Sequence, residues 1–129
     1  ENASIVMDNG KITAINPQQV QADKVIDANG QIVTPGFIAS INQLGLVEVS
    51  AVAGSRDAGE EKAGIDFDVS LAYNAHSSLI PYARKGGVTR DVITPHGGDS
   101  IFSGLASVVD LSGSFESVNK KQAALVVYN

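Results

Sequence analysis

The run Val33 to Val49, VTPGFIASINQLGLVEV, constrains this chain more than any other stretch. Pro35-Gly36 breaks whatever precedes it, because proline fixes φ and cannot donate to a ladder while glycine turns freely. Phe37, Ile38 and Ile41 then form an apolar run short enough for a buried strand. The run reads as a strand that leaves a small β unit and opens a larger one. It divides the chain into residues 1–34 and residues 35–129.

Upstream, SIVM and KITAI flank Asp8-Asn9-Gly10, and KVIDA and QIVT flank Asn29-Gly30. Asn-Gly is a strong short hairpin signal, since both turn positions need φ > 0. Two hairpins in a row predict a small antiparallel sheet, with Asn16-Pro17-Gln18-Gln19 as the loop between them.

Downstream, the stretch from Val49 to Asp68 is rich in Gly, Ala, Ser and charge, with no strong period, and is expected to be a surface loop. Its carboxylates Glu60, Glu61, Asp66 and Asp68 lack the alternating ligands, glycine and closing glutamate of a calcium loop, which favours a solvated acidic segment. Ser77 or Ser78 can cap a helix carrying Leu79, Ile80 and Ala83 on one side; Pro81 is tolerated in its first turn, and Gly86-Gly87 stops it. Val88 to Thr94 reads as the next strand. Strand, helix, strand is a βαβ unit with parallel strands. The last third holds strand-like ASVVDL, a Gly-Ser turn, a polar stretch from Glu116 to Gln122 and an apolar AALVVY run. An apolar terminus of that kind is expected to pack against something further.

Several of these residues together resemble the amidohydrolase superfamily. Pro35, Gly36, Phe37 and Ile38 match the start of its PGFIDxHxH signature. Asn9, Gly10, Lys11, Ile12 and Ile15, then Val25, Ile26, Asp27, Ala28, Gly30 and Val33, match the β-sandwich region that precedes its barrel. His76, Ser77, Leu79, Ile80, Pro81, Ala83, Arg84, Gly87, Val88 and Thr89, followed by Gly97, Gly98, Ser103 and Gly104, are similar to the imidazolonepropionase-related and dihydroorotase-like branch. The resemblance implies an α/β fold: a partial antiparallel β-sandwich module, then the first strands and helix of an incomplete amidohydrolase-like (β/α)8 barrel. Such a barrel takes roughly 250 residues, so a chain of 129 is expected to be an N-terminal piece of one.

The family's chemistry is hydrolysis of C–N and related bonds at metals. Its two signature histidines fall on Ile41 and Gln43, and its aspartate on Ala39. Spacing of i, i+2 matters because alternate residues of a strand share a face and two imidazoles can then share an ion. Ile41 has no lone pair, and Gln43 offers one neutral amide oxygen, a poor ligand for a zinc-like ion. No metal ligand and no catalytic residue is assigned within the chain. Zinc or another divalent metal is implied only for active relatives, whose remaining ligands would lie beyond Asn129. Gln43, and His96 after the second barrel strand, are the candidate ligand-binding residues at the implied barrel mouth, although for His96 a solvated loop histidine is the favoured reading. His76, just before the helix cap, is expected to serve structure.

Other chemistries are excluded. Gly97-Gly98-Asp99-Ser100 lacks the Gly-Lys-Ser/Thr ending of a phosphate loop and the GxGxxG of a dinucleotide turn, and no GxSxG elbow is present. A formal charge of −5 with scattered cations disfavours nucleic acid and anionic membranes. No run approaches the ~18 apolar residues of a membrane helix. The absence of cysteine removes disulfides and thiolate metal sites but leaves the compartment open between periplasm and cytoplasm.

Two functions follow from these expectations. One is a hydrolase acting on non-peptide C–N bonds of cyclic amides or related substrates, inactive as this piece alone. The other is a non-catalytic homologue serving as a ligand-binding or structural subunit. Partners are expected to be the remainder of a barrel or a second copy, because raw strand edges invite pairing, together with a possible small-molecule ligand.

Overall fold

The chain divides into two compact units, Glu1–Pro35 and Gly36–Asn129. The computed structural model describes residues 3–59, 61, 62 and 64–127. In the first unit, Asn9 and Gly10 take φ of 48° and 74°, so the backbone reverses in two residues. Ile5–Asp8 (β1) and Lys11–Ile15 (β2) pair antiparallel around that turn. Asn16 closes the open end: its N–H donates to the Ser4 carbonyl at 2.8 Å, and its Oδ1 accepts from the Ser4 N–H at 2.8 Å.

The second expected hairpin is not formed. Asn29 and Gly30 do make the turn, with φ of 49° and 77° and a Gln31 N–H to Ala28 carbonyl bond of 2.8 Å, but no ladder extends from it. Val25 and Ile32 stand 80% and 91% exposed. A two-stranded hairpin is marginal unless a further strand or layer covers its apolar face, and nothing among the described residues does so here. Among its described residues this unit holds one two-stranded sheet and no second layer of a sandwich.

In the second unit, Phe37–Asn42 (β3), Val88–Ile93 (β4), Phe102–Asp110 (β5) and Val118–Val127 (β6) form one sheet in the order β3-β4-β5-β6. Leu79–Lys85 (α1) links β3 to β4, which run parallel as the βαβ reading requires. The Ser77 Oγ accepts from the Leu79 N–H at 3.2 Å and so supplies the cap. At the other end Gly87 takes φ of 85° and its N–H returns to the Arg84 carbonyl at 2.9 Å. Ile80, 1% exposed, is the apolar anchor of α1, and its burial contributes roughly 2 kcal/mol. The Arg84 guanidinium reaches the Leu111 and Ser112 carbonyls at 3.0 and 3.1 Å, tying the helix to the end of β5.

Beyond β4 the sheet departs from a (β/α)8 pattern. Both β4–β5 and β5–β6 are antiparallel, joined without intervening helices. The polar stretch expected before a closing strand is already part of β6, which starts at Val118. Tyr128 lies outside the described residues.

The stretch after β3 is mostly exposed, as expected of a surface loop, but it touches the core at a few points. Ala58 is buried, and its carbonyl accepts from the His96 N–H at 2.7 Å. The Asp57 N–H donates to Leu46 at 2.7 Å, and Phe67 accepts from the Leu105 N–H at 2.7 Å. A segment poor in large side chains can still lie against the core when its small residues permit close backbone approach: a Cβ on Gly59 would stand 2.9 Å from the His96 carbonyl. Leu46, Ala58, Val69, Ile80, Ile93, Val109 and Leu111 form the core on which this segment, α1 and the sheet converge.

Candidate functional site

The end of β3 gathers one cluster of hydrogen-bonded polar groups. Asn42, its last residue, is fixed by four hydrogen bonds. Its Nδ2 donates to Asp91 Oδ1 at 2.7 Å, and its Oδ1 accepts from the Leu44 N–H at 2.9 Å. Its carbonyl accepts from the Thr94 N–H at 2.9 Å and the Thr94 hydroxyl at 3.3 Å. Gln43 follows, and its carbonyl accepts from the Leu46 and Val47 N–H groups at 2.9 and 3.0 Å, turning the chain back. Its side-chain amide makes no hydrogen bond among the described residues.

Asn42, Gln43 and Asp91 lie along an open cavity of about 370 Å³ whose remaining walls are apolar: Ala39 from β3, Leu44 and Val47 from the turn, Leu79 and Ala83 from α1, and Val88 from β4. The polar edge offers carboxamides, which both donate and accept, so it can orient a neutral polar ligand whose apolar part rests on the alanine, valine and leucine wall.

Asp91 is fully buried on β4. Burial pushes its carboxyl above the ordinary range, an effect that the hydrogen bonds from the Asn42 amide and the Val92 N–H offset only in part. Its Oδ2 has no hydrogen-bond partner among the described residues. Nearby, Tyr73 donates to the Asp110 carbonyl at 3.5 Å, and its phenol is pushed up to about 12 by burial first and then by the Asp110 and Asp91 charges. Burial of Asp110 acts in the same upward direction, but the Ser112 hydroxyl and N–H, Ser117 and the Arg90 charge outweigh it and hold that carboxyl below its usual value.

The sequence candidates are not all brought together. Gln43 is on the cavity. His96 is exposed three residues past β4 and is not among the residues lining it. Ile41 is 77% exposed and also off the cavity. His76 donates its N–H to Asn74 Oδ1 at 3.0 Å and packs its ring 4.9 Å from that of Phe115. Of the acidic segment, Glu60 lies outside the described residues, while Asp68 accepts from the Ser70 N–H at 2.9 Å.

Asn42 and Asp91 were missed from sequence. The available signal was phase: Asp91 is two residues from Ile93 on one strand, so it shares the face of a wholly buried isoleucine. A divalent metal does not fit the residues present at this strand end. They offer a hydrocarbon, neutral amides and a carboxyl already engaged by Asn42, and no group of three His, Cys, Asp or Glu among the described residues could hold an ion. No helix among those residues is long and apolar enough to cross a membrane.

No family model matches the chain, and no curated protein does. Among solved structures, the chain is similar to an amidohydrolase from Thermotoga maritima MSB8, with a TM-score of 0.67 and 24% identity over 94% of this chain. The chain spans 33% of that protein's length. The likeness establishes a shared fold over nearly all of the present sequence.

Proposed function

We propose that this is an amidohydrolase-like protein of the class that hydrolyses non-peptide C–N bonds in cyclic amides, akin to the imidazolonepropionase-related and dihydroorotase-like branch. In it, residues 1–129 supply scaffold and ligand contacts and no metal ligands. The observation that carries this reading is the fold likeness to the Thermotoga amidohydrolase across 94% of the chain. The PGFI strand start at Pro35 to Ile38 and the parallel β3–α1–β4 unit support it. Gln43, with its side-chain amide on the cavity, is the ligand contact of this reading, while His96, three residues past β4, lies off that cavity.

In active relatives a divalent metal would polarise the scissile carbonyl and lower the pKa of a bound water. Ile41 offers such an ion no lone pair and Gln43 only a neutral amide oxygen, so this chain's part is orientation: the Gln43 carboxamide hydrogen-bonds the substrate's own amide while the apolar wall carries its hydrocarbon part.

The replaced histidine positions favour a second reading, a non-catalytic homologue that binds a small molecule or supports another subunit. Metal analysis and turnover of the full-length natural protein on a panel of hydantoin, dihydroorotate and imidazolone propionate separate the two. Turnover with stoichiometric metal, both lost on chelation, is the expected result. A metal-free protein inert on the whole panel would transfer the assignment to the non-catalytic homologue.

A further inference from the structure

The end of β3 is not an ordinary strand. Its pairing with β4 runs through Ala39↔Asp91 and Ser40↔Val92, then resumes at Asn42↔Ile93, so Ile41 is left without a partner. Ile41 has φ of 57°, the left-handed region, which is strongly disfavoured for a β-branched residue. A single inserted residue of this kind is a β-bulge, which bends the strand and re-aims the side chains beside it.

The cavity records that change of direction. In an unbroken strand Ala39, Ile41 and Gln43 would share one face. Instead Asn42 joins Ala39 and Asp91 on the cavity together with Gln43, while Ile41 stands off it in solvent. Position 43 therefore lines the cavity and position 41 does not.

We infer that metal incompetence at this strand end is built into the backbone as well as the side chains: the bulge at Ile41, locked by the four hydrogen bonds of Asn42, separates the two positions that would have to share an ion. Asp91 is central to the lock, since it fixes the Asn42 amide from the neighbouring strand while Thr94 holds the Asn42 carbonyl. The inference is independent of whether the full-length protein is a hydrolase, because it concerns the local conformation alone.

The double variant Ile41→His/Gln43→His tests it. Titrated with Co2+ and with Zn2+, and followed by visible absorption and calorimetry, it is expected to bind neither ion beyond the level of the unmodified protein. One equivalent of Co2+ bound with a new ligand-field band overturns the inference, since the two imidazoles would then have met. Ile41→Gly provides a second measurement that does not depend on the double variant folding. Glycine takes φ of 57° without strain, so its urea midpoint is expected to rise. An unchanged or lowered midpoint would show that Ile41 is not held in the left-handed region, and the inference would fail.

Discussion

Asp91 is the residue with the clearest physical tension. A carboxyl that keeps one oxygen unpaired in a buried site resists ionisation, and its folded pKa lies above the unfolded value of 3.8. The native state then holds a proton that the unfolded chain has released. The stability this group contributes is greatest below 3.8 and falls as pH rises through the folded value. Asp91→Asn removes the titration while keeping the shape, and the new amide oxygen can still accept from the Asn42 Nδ2. The variant is expected to unfold at higher urea than the parent at neutral pH and to lack the parent's decline as pH rises through the acidic range. Equal pH profiles for the two proteins would refute this. Asp110 has the opposite sign, contributing stability above its unfolded value that is lost as pH falls through its lowered folded pKa, so the Asp91 effect is read as a difference between variant and parent.

At the scale of elements, close approach of backbone decides several positions. Gly104 in β5 takes φ of 113°, and an added Cβ would meet the Phe67 carbonyl, where the segment after β3 rests on the sheet. Gly104→Ala is expected to lower stability by about 2–4 kcal/mol, from backbone strain together with overpacking. Chemical denaturation measures it, and a loss below about 0.5 kcal/mol, the scale of ordinary surface changes, would contradict the packing described. Elements with local signals were legible in the sequence. Asn9-Gly10 specified β1 and β2, and Ser77 with Gly86-Gly87 bracketed α1. The parallel pairing of β3 and β4 followed from the helix between them. The antiparallel direction of β5 and β6 was not legible, because alternation reports which face is buried and not which way the neighbouring strand runs. Nor was the bulge at Ile41. Isoleucine is among the residues least suited to left-handed φ, and the conformation is imposed by bonds from Asp91 and Thr94, some fifty positions away in sequence. The cavity's polar edge was hidden for the same reason, since Asn42 acquires its role only when β4 is alongside.

Over the whole molecule, burial is uneven. The second unit has its core around Leu46, Ile80, Ile93 and Val109, whereas Met7, Ile12, Val25, Ile26 and Ile32 in the first unit are all more than half exposed. Two turns of identical dipeptide sit in that first unit under different restraint. Asn9-Gly10 is clamped by a ladder on both sides, and Asn29-Gly30 only by local bonds, from the Gln31 N–H to the Ala28 carbonyl and from the Asn29 N–H to Asp27 Oδ1. Asparagine followed by glycine ages chemically: the glycine nitrogen attacks the side-chain carbonyl carbon, ammonia leaves, and water opens the resulting imide to aspartate or isoaspartate. The reaction needs a backbone free to bring those atoms together, so Asn29 is where a stored sample should first acquire an extra negative charge beyond its formal −5. Isoelectric focusing with peptide mapping would reveal it, and conversion at Asn9 as fast as at Asn29 would mean that the ladder gives no protection. The missing second hairpin thus sets a clock on the chain, with acidic charge variants arising at a site far in sequence from the Asp91 cavity.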